Sequence, residues 1–201
     1  YDDYREKYLN YFPSNYKKHP NAGFSADGVI RNFEIISLGN SLAEKIKPEQ
    51  LKLNITIKKP PRISIIPFEK SKIAAISLSR NDNNPIGILL KHPGFIGAYK
   101  VTEALPVAYD KTWEDKKPTP GVCLLTLFRQ KNGISYDIFI DRWYNGHTPL
   151  SLRIHPLWNY NRNVVNNAIT DNSIVYDGIV EEHFKKASDL LNPFKFFGNP
   201  L

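Results

Sequence analysis

A series of short strand-like segments, separated by proline, glycine and asparagine, constrains the fold of this chain more than any other feature. The segment "LKLNITI", which begins at Leu51, alternates apolar and polar residues as a half-buried strand does. "RISIIPF", "KIAAISLS" and "IGILLK" follow at short intervals, and "GAYKVTEA" and "PVAYD" are weaker strand candidates. Because almost no helical pattern separates them, these segments favour an antiparallel sheet, as a sandwich or a curled sheet, over a parallel α/β fold.

The sharpest local signal in the chain is the dipeptide Asn132-Gly133. Two runs rich in β-forming residues, "GVCLLTLFRQK" and "ISYDIFIDRW", flank it. This dipeptide is preferred in the two-residue turn of a β-hairpin, because both turn positions need positive φ. The sequence therefore predicts a hairpin whose second strand runs from Ile134 to Trp143.

Three segments carry helical patterns. The first twelve residues, "YDDYREKYLNYF", place five aromatic residues on one side of a short amphipathic helix. "SLAE", which begins at Ser41, fits a capping box and predicts a second short helix. "IVEEHFKKASDLL" spaces Val180, Phe184, Ala187 and Leu191 along one face of a longer helix, with its glutamates and lysines elsewhere. We therefore expect an α+β fold, mainly antiparallel β-sheet, with a short N-terminal helix and a longer C-terminal helix.

The chain is expected to form one large domain with an arm at each end. Its 201 residues are enough to bury a sizeable core. Residues 1–28 are predicted to form an N-terminal helix and loop arm, because proline, asparagine, glycine and serine accumulate after the first helix. Residues 29–191 are predicted to form the β-rich domain with the C-terminal helix. The aromatic tail, 192–201, either packs beneath the domain or meets a partner.

The charge of the chain favours an anionic partner. Lysine and arginine total 27 against 20 aspartates and glutamates, which gives a net charge of +7, and positive charge attracts nucleic acid, acidic protein faces and lipid headgroups. The longest apolar runs fall short of the ~20 residues that span a bilayer, so we expect a soluble protein. Because the chain contains no methionine, it is compatible with the mature form of an exported or organelle-targeted precursor, and the compartment stays open.

The sequence argues against several kinds of site. A single cysteine, Cys123, cannot form an internal disulfide or a cysteine-based zinc site. Its apolar neighbours predict a buried, unreactive thiol. Glycine-rich phosphate loops, the G-x-S-x-G elbow and the H-E-x-x-H motif are missing from the sequence. No cofactor is therefore predicted.

The stretch "RWYNGHTPLSLRIHPLWNYNRN", residues 142–163, contains candidate catalytic groups. Together with Asp141, the side chains of His147 and His155 could assist phosphodiester cleavage, with or without a metal ion. If the chain is extended here, Asp137 and Asp141 lie about 13 Å apart and His147 and His155 up to roughly 26 Å apart, too far to share an ion. The sequence therefore predicts no metal site, and a phosphodiesterase or nuclease that uses His147 or His155 is the alternative hypothesis.

The same stretch has the composition of a contact surface. "PLSLRIHP" is predicted to be a short strand, and "LWNYNRN" an asparagine-rich loop with exposed aromatic residues. Tryptophan, tyrosine and arginine offer large contact areas or forked hydrogen bonds, and they are enriched where proteins bind one another. The predicted binding residues are Trp143, Tyr144, Trp158, Tyr160 and Arg162.

We therefore expect a non-enzymatic binding or assembly protein with a basic, aromatic-rich contact surface. Its partner is expected to be a protein or another anionic surface, with nucleic acid and further copies of the chain left open. Besides the nuclease hypothesis, a shell subunit built on a β-sandwich is a third alternative, and it predicts large homo-oligomers.

Overall fold

The structure, a computed structural model, describes residues 37–45, 47–55, 73–79, 86–90, 95–171 and 173–198. By its internal contacts the chain divides into two compact units, Tyr1–Lys91 and His92–Leu201. The predicted N-terminal helix and loop arm, and the strand predicted for "RISIIPF", lie outside the described residues. The boundaries after residues 28 and 191 stay predictions.

The first unit contains a two-stranded antiparallel sheet. Strand β1 (Gln50–Ile55) pairs with strand β2 (Ala74–Ser79). A helix, α1, covers 37–45, and Leu42 within it is fully buried. These strands confirm the predictions made from "LKLNITI" and "KIAAISLS". The helix predicted at "SLAE" is also confirmed, although residues 37–40 are helical as well.

The segment "IGILLK" does not form the predicted strand. Residues Ile86–Leu89 form a one-turn helix, α2. Pro85 precedes this helix in the sequence. Proline favours the first turn of a helix, because its fixed φ suits the helix and its missing N–H leaves no donor unpaired there.

The second unit is built on a four-stranded antiparallel sheet. Its strands are β3 (Tyr99–Val107), β4 (Val122–Phe128), β5 (Asn159–Ala168) and β6 (Gly178–Phe184), and their spatial order is β3-β5-β6-β4. Strands β5 and β6 therefore lie at the centre of the sheet. Together with the helices, the two sheets confirm the predicted α+β fold class. No helix among the described residues is long and apolar enough to cross a membrane.

A helical segment follows β4, so the hairpin predicted at Asn132-Gly133 is wrong. Helix α3 covers Tyr136–Asp141, a π-helical turn covers Arg142–His147, and helix α4 covers Thr148–Ile154. The residues predicted as the second strand of the hairpin are therefore largely helical. The strand predicted for "PLSLRIHP" is wrong for the same reason, since most of it lies in α4.

Local capping explains why the chain becomes helical here. Gly133 has a φ of 85° and turns the chain after β4. The Ser135 hydroxyl then accepts a hydrogen bond from the N–H of Ile138, which is how serine caps the start of a helix. Pro149 lies in the first turn of α4, where proline is well tolerated.

Two further predictions on the C-terminal side of this segment are wrong. Most of the loop predicted for "LWNYNRN" belongs to β5, and residues 179–184, predicted as helix, belong to β6. Helical structure near the C-terminus is confirmed for α5 (Ala187–Leu191), and α6 (Pro193–Phe196) follows. Val180 and Phe184 are four residues apart, and this even spacing suits one face of a strand as well as one side of a helix.

The hydrophobic core of the second unit lies between the helical segment and one face of the sheet. The Phe128 and Trp143 ring centres are 4.8 Å apart, with the rings nearly perpendicular, as aromatic pairs favour. A Cβ on Gly178 would lie 2.4 Å from Phe128 Cζ and 2.7 Å from Trp143 Cη2, so glycine lets both rings approach the strand. The buried residues of this core are Phe139, Trp143, Tyr160, Val164 and Val180.

Candidate functional site

Strand β5 and the π-helical turn bring three of the predicted binding residues together. The guanidinium carbon of Arg162 lies 3.4 Å from the centre of the Tyr144 ring and 5.9 Å from the centre of the Trp143 ring. Trp143 is buried in the core, whereas Tyr144 and Arg162 are half-buried. The arrangement is a cation–π contact between the sheet and the helical segment.

Two residues of the helical segment hold the guanidinium of Arg162 in place. The ring of Tyr144 lies against the face of the guanidinium. The Nη1 group of Arg162 donates a 3.0 Å hydrogen bond to the hydroxyl of Thr148. Tyr144 and Thr148 are four residues apart, a spacing that brings helical side chains to the same side. The arginine is thus positioned in the free protein, which lowers the entropy cost of a new contact.

One edge of this guanidinium has no partner among the residues that the structure describes. The Arg162 Nε is buried and makes no hydrogen bond. Within the described ranges, Nη1 is the only nitrogen of the guanidinium that donates a hydrogen bond, and no carboxylate forms an ion pair with it. The Nε and Nη2 groups are therefore a pair of unpaired donors, and an anion that accepts from both has to displace the side chains that cover Nε.

A second incompletely bonded side chain, Tyr160, lies on the same face of β5 as Arg162. Residues two apart in a strand point to one face, and the Tyr160 hydroxyl is buried without a hydrogen-bond partner. Glu182 lies opposite Tyr160 in β6 and is only 7% exposed. Burial raises the pKa of the Glu182 carboxyl to about 7. In acidic solution Glu182 is therefore protonated and supplies no counter-charge to the arginine.

The two candidate histidines lie at the two ends of α4 and have separate partners. His147 Nε2 is 3.3 Å from the Ser151 hydroxyl, and His155 Nδ1 donates to the carbonyl oxygen of Phe196 over 2.5 Å. Desolvation, and to a smaller extent the nearby His155, lower the pKa of His147. Desolvation also lowers the pKa of His155, and its hydrogen bond to Phe196 opposes that shift. Both rings are therefore mostly neutral at pH 7.

The helical conformation overturns the distances expected from an extended chain. A helix rises about 1.5 Å per residue, so His147 and His155 are separated by about 12 Å along the axis rather than roughly 26 Å, and Asp137 and Asp141 by about 6 Å. Asp141 is exposed and accepts a 2.8 Å hydrogen bond from Asn145 Nδ2. In the part of the chain that the structure describes, no group of three or more His, Cys, Asp or Glu side chains is placed to hold a metal ion.

His147 and Ser151 pair a base with a hydroxyl, but the hydroxyl is inaccessible. Ser151 is fully buried, and its 3.3 Å separation from His147 is longer than that of a strong hydrogen bond. A nucleophile has to reach its substrate. In this conformation the pair serves to attach the His147 ring to α4.

Trp158, the remaining predicted binding residue, belongs to a separate aromatic cluster. Its ring centre lies 4.9 Å from that of Tyr109 and 5.6 Å from that of Trp113. Tyr109 also meets the edge of the His183 ring at 5.6 Å, and the Lys185 ammonium lies 6.0 Å from the Trp158 ring. No local sequence pattern indicates that Tyr109 and Trp113 belong to this cluster. They lie beside Trp158 because β3 pairs with β5, and that pairing joins distant parts of the chain.

The opposite face of the central strands carries a row of buried polar side chains. The buried polar residues on this face are Asn159, Asn161, Asn163, Glu181 and His183. Asn161 Nδ2 donates to the Glu103 carboxylate over 2.5 Å, whereas its Oδ1 is buried without a partner. The alternating asparagines of "NYNRN" are visible in the sequence, but the preference of asparagine for turns favours a loop there.

No protein-family model, curated protein or solved structure matches this chain. Because one fold hosts many unrelated functions, the function has to be inferred from the side chains of the site. Arg162 and its neighbours combine a positioned cation, aromatic surface and unpaired donors. We take Arg162, Tyr144, Thr148, Trp143 and Tyr160 as the candidate functional site.

Proposed function

We propose that this protein is a non-enzymatic binding protein that holds a carboxylate of an acidic protein partner at Arg162. The observation that carries the proposal is the unpaired Nε and Nη2 edge of a guanidinium that Tyr144 and Thr148 already position. Such an edge donates two parallel hydrogen bonds, which match the two oxygens of a carboxylate. Tyr144 adds contact area beside the charge.

The neighbours of Arg162 favour a carboxylate over a nucleic-acid backbone. Among the described residues, the guanidinium makes two ring contacts and one hydrogen bond to a hydroxyl, and none of these three partners is charged. Nucleic acids are bound by several lysines and arginines that neutralise successive phosphates. A single arginine among aromatic residues is instead typical of a hot spot between proteins.

A carboxylate from the partner would also satisfy donors that the free protein leaves unpaired. Burying a polar or charged group without a partner is destabilising. Hydrogen bonds to charged groups contribute about 1.5–3 kcal/mol. The binding free energy that Arg162 contributes through such hydrogen bonds is therefore large enough to measure by substituting this one residue.

A peptide titration tests this proposal. Wild-type protein would be titrated with a peptide rich in aspartate and glutamate, with a glutamine-rich peptide of equal length, and with single-stranded RNA, and calorimetry would give each affinity. Arg162→Gln is expected to weaken binding of the acidic peptide by about tenfold or more. Arg142→Gln removes an exposed arginine of the π-helical turn and is expected to leave that affinity unchanged.

Two further results decide the outcome. Arg162→Lys keeps the charge but lacks the planar fork, so it is expected to bind more weakly than wild type and more tightly than Arg162→Gln. Equal affinities for wild type and Arg162→Gln, with both proteins folded by circular dichroism, would refute the proposal. Tighter binding of RNA than of the acidic peptide would assign the surface to nucleic acid instead.

Phosphodiester cleavage is a second candidate function, and one observation favours it. The two imidazoles lie at the two ends of one short helix, α4, and His155 is the smaller of the two causes of the lowered pKa of His147. Labelled single-stranded RNA and DNA, incubated with the protein with and without divalent metal, test for cleavage. Cleavage that is lost in both His147→Ala and His155→Ala would replace the binding proposal.

Light scattering on the same samples tests for the large homo-oligomers of a shell subunit.

A further inference from the structure

The C-terminal segment exposes apolar side chains among lysines. Leu191 is 47% exposed, Phe194 64% and Phe197 53%. Lys186 and Lys195, in the same segment, are exposed as well. We call these five residues the tail surface.

A buried phenylalanine anchors the tail surface to the second unit. The Phe196 ring centre lies 4.0 Å from that of His155 and 5.9 Å from that of Phe184. The Phe196 carbonyl oxygen accepts the hydrogen bond from His155 Nδ1. Phe194 lies in α6, and Phe197 directly follows this helix with its ring centre 5.1 Å from that of Phe196. One ring of the segment therefore packs inward while two face solvent.

We propose that the tail surface binds a lipid bilayer with anionic headgroups. The lysines in this segment are Lys185, Lys186 and Lys195, and all three are exposed. The one carboxylate in residues 185–198 is that of Asp189, which Lys195 holds at 3.0 Å. The segment thus has an excess of positive charge, which the negative surface of such a bilayer attracts. Exposed aromatic rings then enter the boundary between headgroups and acyl chains.

The exposed rings favour a bilayer over a protein partner. More than half of the surface of Phe194 and of Phe197 is exposed, and a protein would need a matching pocket for each ring, whereas lipids rearrange around them. Interfacial binding sums buried apolar area and attraction to anionic lipids, and the tail surface offers both side by side. The net charge of +7 on the chain acts in the same direction. This inference is independent of the Arg162 site.

Vesicle sedimentation with the full chain tests the inference. Wild-type protein is expected to sediment with vesicles of phosphatidylcholine and phosphatidylserine, and to stay in solution with phosphatidylcholine alone. The double substitution Phe194→Ser and Phe197→Ser is expected to lower the partition coefficient by about tenfold or more, because two rings lose their burial in the lipid. Tyr136→Ser removes a ring that is 52% exposed on α3, and it is expected to bind as wild type does.

A charge substitution and a measurement without lipid complete the test. Lys186→Glu is expected to weaken binding to the anionic vesicles by about fivefold or more, since it replaces an attraction by a repulsion. The proposal is overturned if the double phenylalanine variant sediments as wild type does, or if wild type sediments equally with neutral vesicles. It is also overturned if size-exclusion chromatography shows a dimer that the double variant converts to a monomer, because the tail surface would then bind a second copy of the chain.

Discussion

The guanidinium of Arg162 lies against the face of the Tyr144 ring, with 3.4 Å between its central carbon and the ring centre. At a partly desolvated site a cation–π contact is worth about 1–2 kcal/mol. Tyr144→Leu is therefore expected to lower the free energy of unfolding by about 1 kcal/mol and to weaken binding of the acidic peptide. Tyr144→Phe keeps the ring and is expected to match wild type in urea unfolding and in the titration. Unchanged affinity in Tyr144→Leu would show that the ring does not organise the site.

The stability of the protein is expected to fall as the pH rises through the range set by Glu182. Burial raises the pKa of this carboxyl from 4.5 to about 7, so between these values the folded protein binds more protons than the unfolded chain. The contribution of Glu182 is greatest below pH 4.5, declines as the pH rises and levels off above about 7, a total loss of about 3 kcal/mol.

Glu182→Gln provides the control for this pH dependence. Glutamine keeps the shape of the side chain but cannot ionise, so the variant is expected to lack the decline. Urea unfolding of both proteins across the same pH range measures the difference. Parallel curves for wild type and variant would mean that the Glu182 carboxyl is solvated in the folded protein.

Gly178→Ala and Gly146→Ala form a matched pair that tests the packing of the core. A Cβ at Gly178 would lie within 2.7 Å of both the Phe128 and Trp143 rings, so Gly178→Ala is expected to destabilise the protein by about 1–3 kcal/mol. A Cβ at Gly146 meets nothing within 4 Å, and alanine is the better helix former, so Gly146→Ala is expected to be neutral or stabilising by up to about 1 kcal/mol. Thermal unfolding compares the two; equal melting temperatures would contradict the close packing at Gly178.

Trp143→Ala and Trp158→Ala separate the core from the predicted contact surface. Trp143 is buried against the sheet, and its truncation is expected to cost about 3–5 kcal/mol of stability. Trp158 is half-buried in its aromatic cluster, so its truncation is expected to cost less stability than that of Trp143. If it is a hot spot, Trp158→Ala weakens partner binding by on the order of 2 kcal/mol. A folded Trp158→Ala variant with wild-type affinity would remove Trp158 from the binding residues.

The strand that the sequence predicts most clearly is β1, because its pattern fits no other element. In β1, Leu51, Leu53 and Ile55 alternate with polar residues, and only a strand places them on one face. The helical segment could not be predicted this way, because Phe139 and Trp143 are four residues apart and this spacing suits both a strand face and a helix side. The cap at Ser135 and the burial of both rings against the sheet favour the helix, and the second of these depends on the folded protein.

For the site, the sequence indicates residue types but not their grouping. The composition of 142–163 points to Tyr144 and Arg162, yet their contact requires the helical segment to fold over β5. The sequence does not indicate Glu182, because a helix with 3.6 residues per turn would place it on the solvent side. In strand β6 it lies on the same face as Val180, and the pairing of β5 with β6 brings it opposite Tyr160. Thr148 carries no signal at all, because one hydroxyl among many acquires its role only when Arg162 reaches it.

The π-helical turn at Arg142–His147 determines how the rest of the helical segment is oriented. Each residue of an α-helix advances about 100° around the axis, and a π-turn takes up one residue more than an α-turn. Deleting one residue within this turn would therefore let it relax to a regular α-turn while Thr148 and Ser151 keep their direction toward the sheet, whereas a deletion in α3 would rotate them by about 100°. Most helices absorb a change of length at their ends. In this segment the π-helical turn is instead the place where the chain can lose one residue without re-aiming the side chains downstream of it.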